Sequence, residues 1–150
     1  MPNTLKFLVQ KNTLMRSLFF LFILFPLCSI AQHNLTVEVQ DVASSNGSVC
    51  VALYDTDKAF LKFDKVYMKD SVAAQKGETS VTIKDIPAGT YALAVFHDEN
   101  GNQELDTNWV GIPKEDVGFS NAKMKTFGPP SFKECAIDLK GDQHITVAIK

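Results

Sequence analysis

Short segments in which apolar and polar residues alternate constrain the fold of this chain more than any other feature of its sequence. In LTVEVQ, residues 35–40, and in SVTIK, residues 80–84, apolar residues recur at every second position. A period of two is that of a β-strand with one buried face. The same kind of pattern, bounded by turn residues, predicts strands at 35–40, 48–55, 79–86, 90–98, 135–139 and 144–150, with a further strand within 66–74.

This series of about seven short strands predicts an all-β fold, an antiparallel β-sandwich of the immunoglobulin-like or transthyretin-like kind. Helical signals are weak, and only residues 57–61 are expected to form a single turn. Residues 32–150 are numerous enough to bury one core without disulfide or metal support. We therefore expect a single β-sandwich domain over residues 32–150.

The first 31 residues have the layout of a secretory signal peptide. Lys6, Lys11 and Arg16 precede an apolar run at 18–27, and small residues come before Gln32. This pattern predicts cleavage between Ala31 and Gln32 and a mature chain that is periplasmic or secreted. Two alternatives are acylation at Cys28 and retention of the segment as an uncleaved anchor, although the apolar run is short for a membrane span.

The net charge of the mature chain limits the classes of partner that it is expected to bind. Residues 32–150 hold 12 Lys, no Arg and 17 Asp or Glu, which gives a formal charge of −5. Nucleic acid is not an expected partner, because phosphate binding needs a basic surface.

Two cysteines remain, and Cys135 is expected to share an inward face with Ile137 and Leu139. We expect Cys50 and Cys135 to be unpaired.

Oxygen-bearing side chains recur through HDENGNQELD, residues 97–106, directly after the predicted strand 90–98. Alternating carboxylates and amides can surround one cation, and calcium takes six to eight oxygen ligands. The loop contains no cysteine, which favours a hard cation over zinc or copper. The sequence therefore predicts a calcium-binding loop at residues 98–106. Its side-chain ligands would be Asp98, Asn100, Asn102 and Asp106, and Glu104 would contribute its backbone carbonyl.

The loop departs from the EF-hand pattern at two positions. Gln103 and Trp109 stand where an EF-hand loop has Gly and a bidentate Glu. Glu115, Asp116 or water would have to supply the missing ligand. The alternative is a metal-free turn in which the Asn and Asp side chains only satisfy backbone groups.

Residues 98–130 form a long segment with little alternation, a feature typical of functional loops. Its apolar side chains, at Trp109, Ile112, Phe119, Met124 and Phe127, predict that it packs on the domain. An ion bound at 98–106 would rigidify it and present Trp109 and Phe119 to a protein or glycan. The alternative is a structural cap over a sheet edge.

The sequence contains no convincing catalytic constellation. His97 is the only His beside an acid, and alternation places it on the apolar face of its strand, which predicts a buried, hydrogen-bonded side chain. Ser120 is expected to be exposed but lacks the surroundings of a hydrolase nucleophile. We expect a monomeric, non-enzymatic binding or surface-interaction module. The alternatives are a small hydrolase or lyase that uses His97, and a structural subunit without metal.

Residues 85–121, DIPAGTYALAVFHDENGNQELDTNWVGIPKEDVGFSN, resemble the signature of an exported bacterial family known as domain of unknown function 2141. The segment GPPSFKECAIDL, residues 128–139, fits this family too. The resemblance implies an exported sandwich and no assigned reaction. Members of the family usually carry Gly where this chain has Gln103, so the resemblance argues against a tight EF-hand-like turn here.

Overall fold

The computed structural model describes residues 31–150, and apart from Ala31 the predicted signal peptide, with Cys28, lies outside them. These residues form eight strands, a 3-10 helix and one single-turn α-helix. The strands are β1 (Gln32–Val42), β2 (Ser48–Tyr54), β3 (Met68–Ala73), β4 (Gly77–Pro87), β5 (Gly89–Asp98), β6 (Val117–Phe119), β7 (Ile137–Leu139) and β8 (Gln143–Ala148). The 3-10 helix is Phe63–Lys65, and helix α1 is Phe132–Cys135.

The strands make two sheets, which confirms the all-β, sandwich-like fold. One sheet has the order β4-β1-β8, and the other has the order β3-β2-β5-β6 with β7 also paired to β5. One pair departs from the antiparallel expectation, because β1 and β8 run parallel. The turn after β7 carries the chain from the five-stranded sheet into the three-stranded one, so β8 reaches β1 by a crossover and not by a hairpin.

The core between the sheets follows the alternation seen in the sequence. Every second residue of β1 from Leu35 to Val39 is fully buried, and the intervening residues are half-buried. Burial of each such side chain stabilises the fold by about 2 kcal/mol. The same cluster includes alternate residues of the three other long strands: Val49, Val51, Leu53, Val81, Ile83, Leu93 and Val95.

The predicted strand 135–139 is only partly correct. Cys135 ends helix α1, and the strand begins at Ile137. A capping box between Ser131 and Glu134 starts a helical turn at this point. Cys135 is buried as expected but packs with Phe96 and Phe119, away from the core that holds Ile137. Cys50 and Cys135 are both free thiols, and burial raises the pKa of Cys135 to about 11.

The outer face of the five-stranded sheet is also covered. A second cluster on this face contains Ala92, Phe96, Val117 and Phe119, with Leu105 of the long segment packed against it. The segment 98–130 therefore does lie on the domain, as its apolar content predicts. Of the five apolar side chains expected to pack there, only Phe119 is buried in this cluster.

Strand β6 was not predicted, because its central residue is glycine. A Cβ on Gly118 would lie 2.7 Å from Val147 Cγ1 and 2.8 Å from the Ala148 carbonyl oxygen. Only glycine allows the backbone of β6 to approach the end of β8 this closely. Gly118 therefore permits the β6 strand and at the same time interrupts the alternation that would reveal it.

Three expectations about exposure in this segment were wrong. Phe119 lies in β6 and is 6% exposed, so it is not presented to a partner. Ser120 is buried, where its hydroxyl accepts the Leu93 amide at 3.0 Å and donates to the Cys135 carbonyl. In contrast, the side chains expected to pack on the domain, Trp109, Ile112, Met124 and Phe127, are exposed.

Candidate functional site

Asp98 organises the start of the polar loop, residues 98–106. It is the last residue of β5 and is 0% exposed. Its Oδ1 accepts the amides of Gly101 at 2.8 Å and Asn102 at 3.2 Å, and its Oδ2 accepts the amide of Gln103 at 2.8 Å. One buried carboxylate therefore binds three consecutive backbone donors and folds the chain around itself.

Asp106 closes the loop from the other end. Its Oδ2 accepts the Asn100 carboxamide Nδ2 at 2.7 Å, and its Oδ1 accepts the Asn102 Nδ2 at 3.4 Å. The Asn102 oxygen accepts the Glu104 amide at 2.8 Å. Four of the predicted ligand residues, Asp98, Asn100, Asn102 and Asp106, thus converge, whereas the Glu104 side chain is exposed.

Glu115 brings a third carboxylate to the loop, beside those of Asp98 and Asp106. Its Oε2 accepts the Asp106 amide at 3.0 Å, and its buried Oε1 has no partner among residues 31–150. Burial raises the pKa of Glu115, and the negative charges of Asp98 and Asp106 raise it further. Of the two residues expected to complete the ligand set, Glu115 contacts the loop, while Asp116 accepts the His97 amide with its backbone carbonyl.

The loop oxygens are mixed in chemical type. Within residues 31–150 no group of three or more His, Cys, Asp or Glu side chains is arranged to hold a metal ion. The predicted set differs from such a group because two of its members are amides and one is a backbone carbonyl. Calcium accepts all of these oxygen types.

Gln103 occupies the left-handed region of backbone space. Its φ is +62°, the kind of conformation that glycine supplies at this position of an EF-hand loop. The tight turn therefore forms despite the side chain, contrary to the expectation drawn from the missing glycine. The Gln103 amide is held by the buried Asp98 carboxylate, and this bond offsets the strain of the left-handed conformation.

We expect Gln103→Gly to raise the free energy of unfolding by about 1 kcal/mol, because glycine adopts this conformation without strain. The matched control is Glu104→Gly. The backbone of Glu104 itself is not left-handed, so glycine there should lower the free energy of unfolding by roughly 0.5 kcal/mol through backbone entropy. Urea denaturation of both variants gives the sign of each change. A loss of stability in Gln103→Gly would contradict the strained turn.

The turn at residues 44–47 supports the loop and was not recognised as part of the site. Ser44 Oγ donates to Glu99 Oε1 at 2.8 Å, and the His97 Nε2 donates to the Asn46 carbonyl at 2.9 Å. Gly47 lies against the Asp98 carbonyl, with no room for a side chain. The sequence signal was SSNG, a turn motif with nothing to show which segment it would contact.

His97 is buried as predicted, with 1% exposure. Its Nε2 is occupied by the Asn46 carbonyl, and its Nδ1 is buried without a hydrogen-bond partner among the described residues. The nearest acidic oxygen, Glu99 Oε1, is 3.9 Å from Nδ1. This geometry ties β5 to the turn at 44–47.

The fold and this loop define an all-β sandwich protein with an oxygen-rich loop at the end of a central strand. The chain belongs to the family described as "Uncharacterized protein conserved in bacteria (DUF2141)", whose model matches residues 37–147. The resemblance found in the sequence is therefore confirmed. No curated protein and no solved structure gives a match to this chain. No helix among residues 31–150 has the length and apolar character needed to cross a membrane.

Proposed function

We propose that this protein is an exported, non-enzymatic β-sandwich module in which residues 98–106 bind one calcium ion and stiffen the segment that carries Trp109. The convergence of Asp98, Asn100, Asn102 and Asp106 on one small loop carries this proposal. The Glu104 carbonyl would complete the set named in the sequence. Export rests on the signal-like pattern of the first 31 residues.

The charges around the loop support a cation. Asp98, Asp106 and Glu115 lie close enough for the first two to raise the pKa of the third. Within residues 31–150 no Lys or His forms an ion pair with any of these three carboxylates. Several carboxylates held together with little solvent repel one another, and a divalent ion would relieve that repulsion.

The contacts of Asp106 indicate how the loop would adjust. Its carboxylate now accepts the amide nitrogens of Asn100 and Asn102. For both amides to offer oxygen to a cation, these two side chains would turn about their last bond. The three amides bound by Asp98 need not change, since a carboxylate oxygen can accept a hydrogen bond and still ligate a metal ion.

Calcium is expected to bind weakly, with Kd on the order of 10⁻⁵ to 10⁻³ M, as in other extracellular modules. At a calcium concentration about 100-fold above Kd, binding should raise the free energy of unfolding by about 2.7 kcal/mol. Melting of residues 31–150, stripped with chelator and then titrated with calcium, measures this gain. Calorimetric titration in parallel gives the number of sites.

The matched variant for this test is Asp106→Asn. Asparagine has nearly the same size as Asp106 and removes its charge, so it should abolish the calcium-dependent stabilisation while the metal-free protein melts close to the parent. Lys84→Gln, on the exposed face of β4, changes charge elsewhere and should leave the calcium response intact. Equal calcium responses in all three proteins, or no response in the parent, would refute the metal loop.

The remaining alternatives have their own tests. A hydrolase or lyase that uses His97 stays a prediction, and retention of every detected activity by a folded His97→Ala variant would remove it. A structural subunit predicts assembly that grows with concentration in sedimentation. If the protein is the proposed module, we expect a monomer at all concentrations. Its partner is not expected to be a nucleic acid.

A further inference from the structure

Two short turns hold the most exposed large apolar side chains among residues 31–150. The Trp109 turn, residues 107–113, is closed by a bridge between Thr107 and Pro113, and its Trp109 is 95% exposed. The Phe127 turn, residues 125–128, is closed by a bridge between Lys125 and Gly128, and its Phe127 is 100% exposed. Large aromatic rings held fully in water at turn tips mark an interaction surface.

Several backbone amides of the Trp109 turn are hydrogen-bonded within the turn. The Asn108 Oδ1 accepts the amides of Val110 at 3.0 Å and Ile112 at 2.9 Å, and the Asn108 carbonyl accepts the Gly111 amide at 3.0 Å. Three successive donors therefore need no water. Pairing of these three donors lowers the free-energy cost of moving the tip of the turn into an apolar medium.

The two turns lie side by side. A cavity of about 240 Å³ over the outer face of the five-stranded sheet is lined by Gly111 and Pro113 of the Trp109 turn. Met124 and Pro129, which flank the Phe127 turn, line the same cavity. Trp109, Val110, Ile112, Met124 and Phe127 thus belong to neighbouring tips on one part of the surface and can meet the same partner.

The charge around these tips is opposite to that of the rest of the chain. Residues 107–114 and 117–133 contain four Lys and no acidic residue, whereas the other residues of 31–150 contain eight Lys and all 17 acids. Lys125 pairs with Glu134 at 2.7 Å. Within residues 31–150 the other three, Lys114, Lys123 and Lys133, form no ion pair. A basic, apolar tip on an acidic body complements an anionic surface with an apolar interior.

We propose that the Trp109 and Phe127 turns dock on an anionic lipid surface, with both aromatic rings in the headgroup region and the lysines on lipid phosphates. Trp at a membrane interface keeps its ring partly apolar and partly wet, and each nearby Lys adds attraction to anionic lipid. The proposal rests on the binding function proposed above and names its partner. It does not require calcium, because hydrogen bonds within the chain hold the Trp109 turn.

A lipid surface fits these turns better than a protein or a glycan. A protein interface usually has a contiguous apolar centre inside a polar rim, whereas here the exposed apolar side chains lie on two turns and four lysines lie near them in the sequence. A glycan site needs a ring beside fixed polar groups. The Asn108 side-chain oxygen next to Trp109 is already engaged by two backbone amides.

Trp109 is the only Trp of the sequence, so its fluorescence reports directly on docking. Residues 31–150 form a compact unit with their own core, and the experiment uses this segment in the presence of chelator. It is mixed with vesicles of equal parts phosphatidylcholine and phosphatidylglycerol, or of phosphatidylcholine alone. We expect a blue shift of Trp109 emission and co-sedimentation with the anionic vesicles, and much weaker effects with the neutral ones.

Three variants sharpen the test. Phe127→Ser should weaken partition roughly tenfold by removing an inserted ring. Lys123→Gln should weaken it roughly fivefold, and the control Lys84→Gln, on the other sheet, should leave it near the parent value. Because these three side chains are exposed, the variants are expected to fold like the parent, which circular dichroism checks.

Two results would overturn the proposal. One is the absence of both blue shift and sedimentation with anionic vesicles. The other is partition that Phe127→Ser and Lys123→Gln leave unchanged. Capture of Trp109 by a soluble glycan or protein, without vesicle binding, would count as the first result. Since the vesicles are tested in chelator, failure of the calcium titration would refute the metal loop and leave this result standing.

Discussion

Gly47→Ala is expected to lower the free energy of unfolding by about 4 kcal/mol. A Cβ at this position would lie 1.8 Å from the Asp98 carbonyl oxygen, a distance that no conformer avoids without movement of the backbone. The φ of Gly47 is also +66°, where an L side chain is strained. Clash and strain act on the same turn, and the turn supports the start of the polar loop. Urea denaturation of parent and variant measures the change.

Gly101→Ala is the matched control for this prediction. Gly101 also has a positive φ, +75°, but nothing lies within 4 Å of its added Cβ. The variant should therefore lose only about 1 kcal/mol, from conformational strain alone. A similar loss of stability in both variants would show that Gly47 is not in close contact with the Asp98 carbonyl. It would contradict the proposed supporting role of the turn at 44–47.

Asp98→Ala is expected to lower the free energy of unfolding by about 3 kcal/mol in chelator, and by more in calcium because the substitution also removes a proposed ligand. The substitution removes a fully buried carboxylate that accepts three amides, and hydrogen bonds to a charged group are among the stronger ones. The full cost of three unpaired donors is not expected, because Gly101, Asn102 and Gln103 are exposed and their amides can bind water. Thermal melting in chelator and in calcium checks both conditions.

Asp106→Ala distinguishes the contribution of calcium binding from the stability of the metal-free loop. The Asp106 carboxylate accepts only the side-chain amides of two exposed asparagines, so its loss in chelator should cost about 0.5 kcal/mol. In calcium the variant should fall further behind the parent, because the parent alone gains stability. If Asp98→Ala melts like the parent in chelator, the carboxylate does not hold the loop. If Asp106→Ala behaves alike in both media, Asp106 is not a ligand.

The core could be predicted from the sequence because its determinants are local. Alternation in β1, β2, β4 and β5 reports directly which residues face the other sheet, since side chains on a strand point to opposite sides in turn. The His97 burial follows from the same rule. The parallel pairing of β8 with β1 could not be predicted in this way, because it depends on how the chain crosses between sheets.

The outer face of the five-stranded sheet could not be predicted, because its cover comes from distant segments. Ala92 and Phe96 look like the second face of an ordinary strand, and nothing local shows that Phe119 and Cys135 pack on them. Strand β6 could not be predicted either, because Gly118 interrupts its alternation of apolar and polar residues. The exposure of Phe127 was also missed, since apolar residues in a long loop are normally expected to pack, whereas Trp109 is exposed as its expected presentation to a partner requires.

The convergence of four loop residues could be predicted from the sequence, whereas the segments that support the loop could not. Sequence spacing alone indicated that Asp98, Asn100, Asn102 and Asp106 would converge, because the pattern is local to nine residues. The contact of Glu115 with the Asp106 amide joins residues nine apart through a folded turn and was only one of two alternatives. The turn at 44–47 lies about fifty residues earlier, and only the pairing of β2 with β5 brings it to Asp98.

The central claim is that residues 98–106 hold one hard cation, and terbium luminescence tests it most directly. Terbium replaces calcium at oxygen sites, and the single Trp109, three residues beyond Asp106, would sensitise its emission on excitation of the indole. We predict saturable emission at one equivalent of terbium, displacement by excess calcium, and loss of the signal in Asp106→Asn. Emission that never saturates, or that is the same in Asp106→Asn, would contradict the calcium loop.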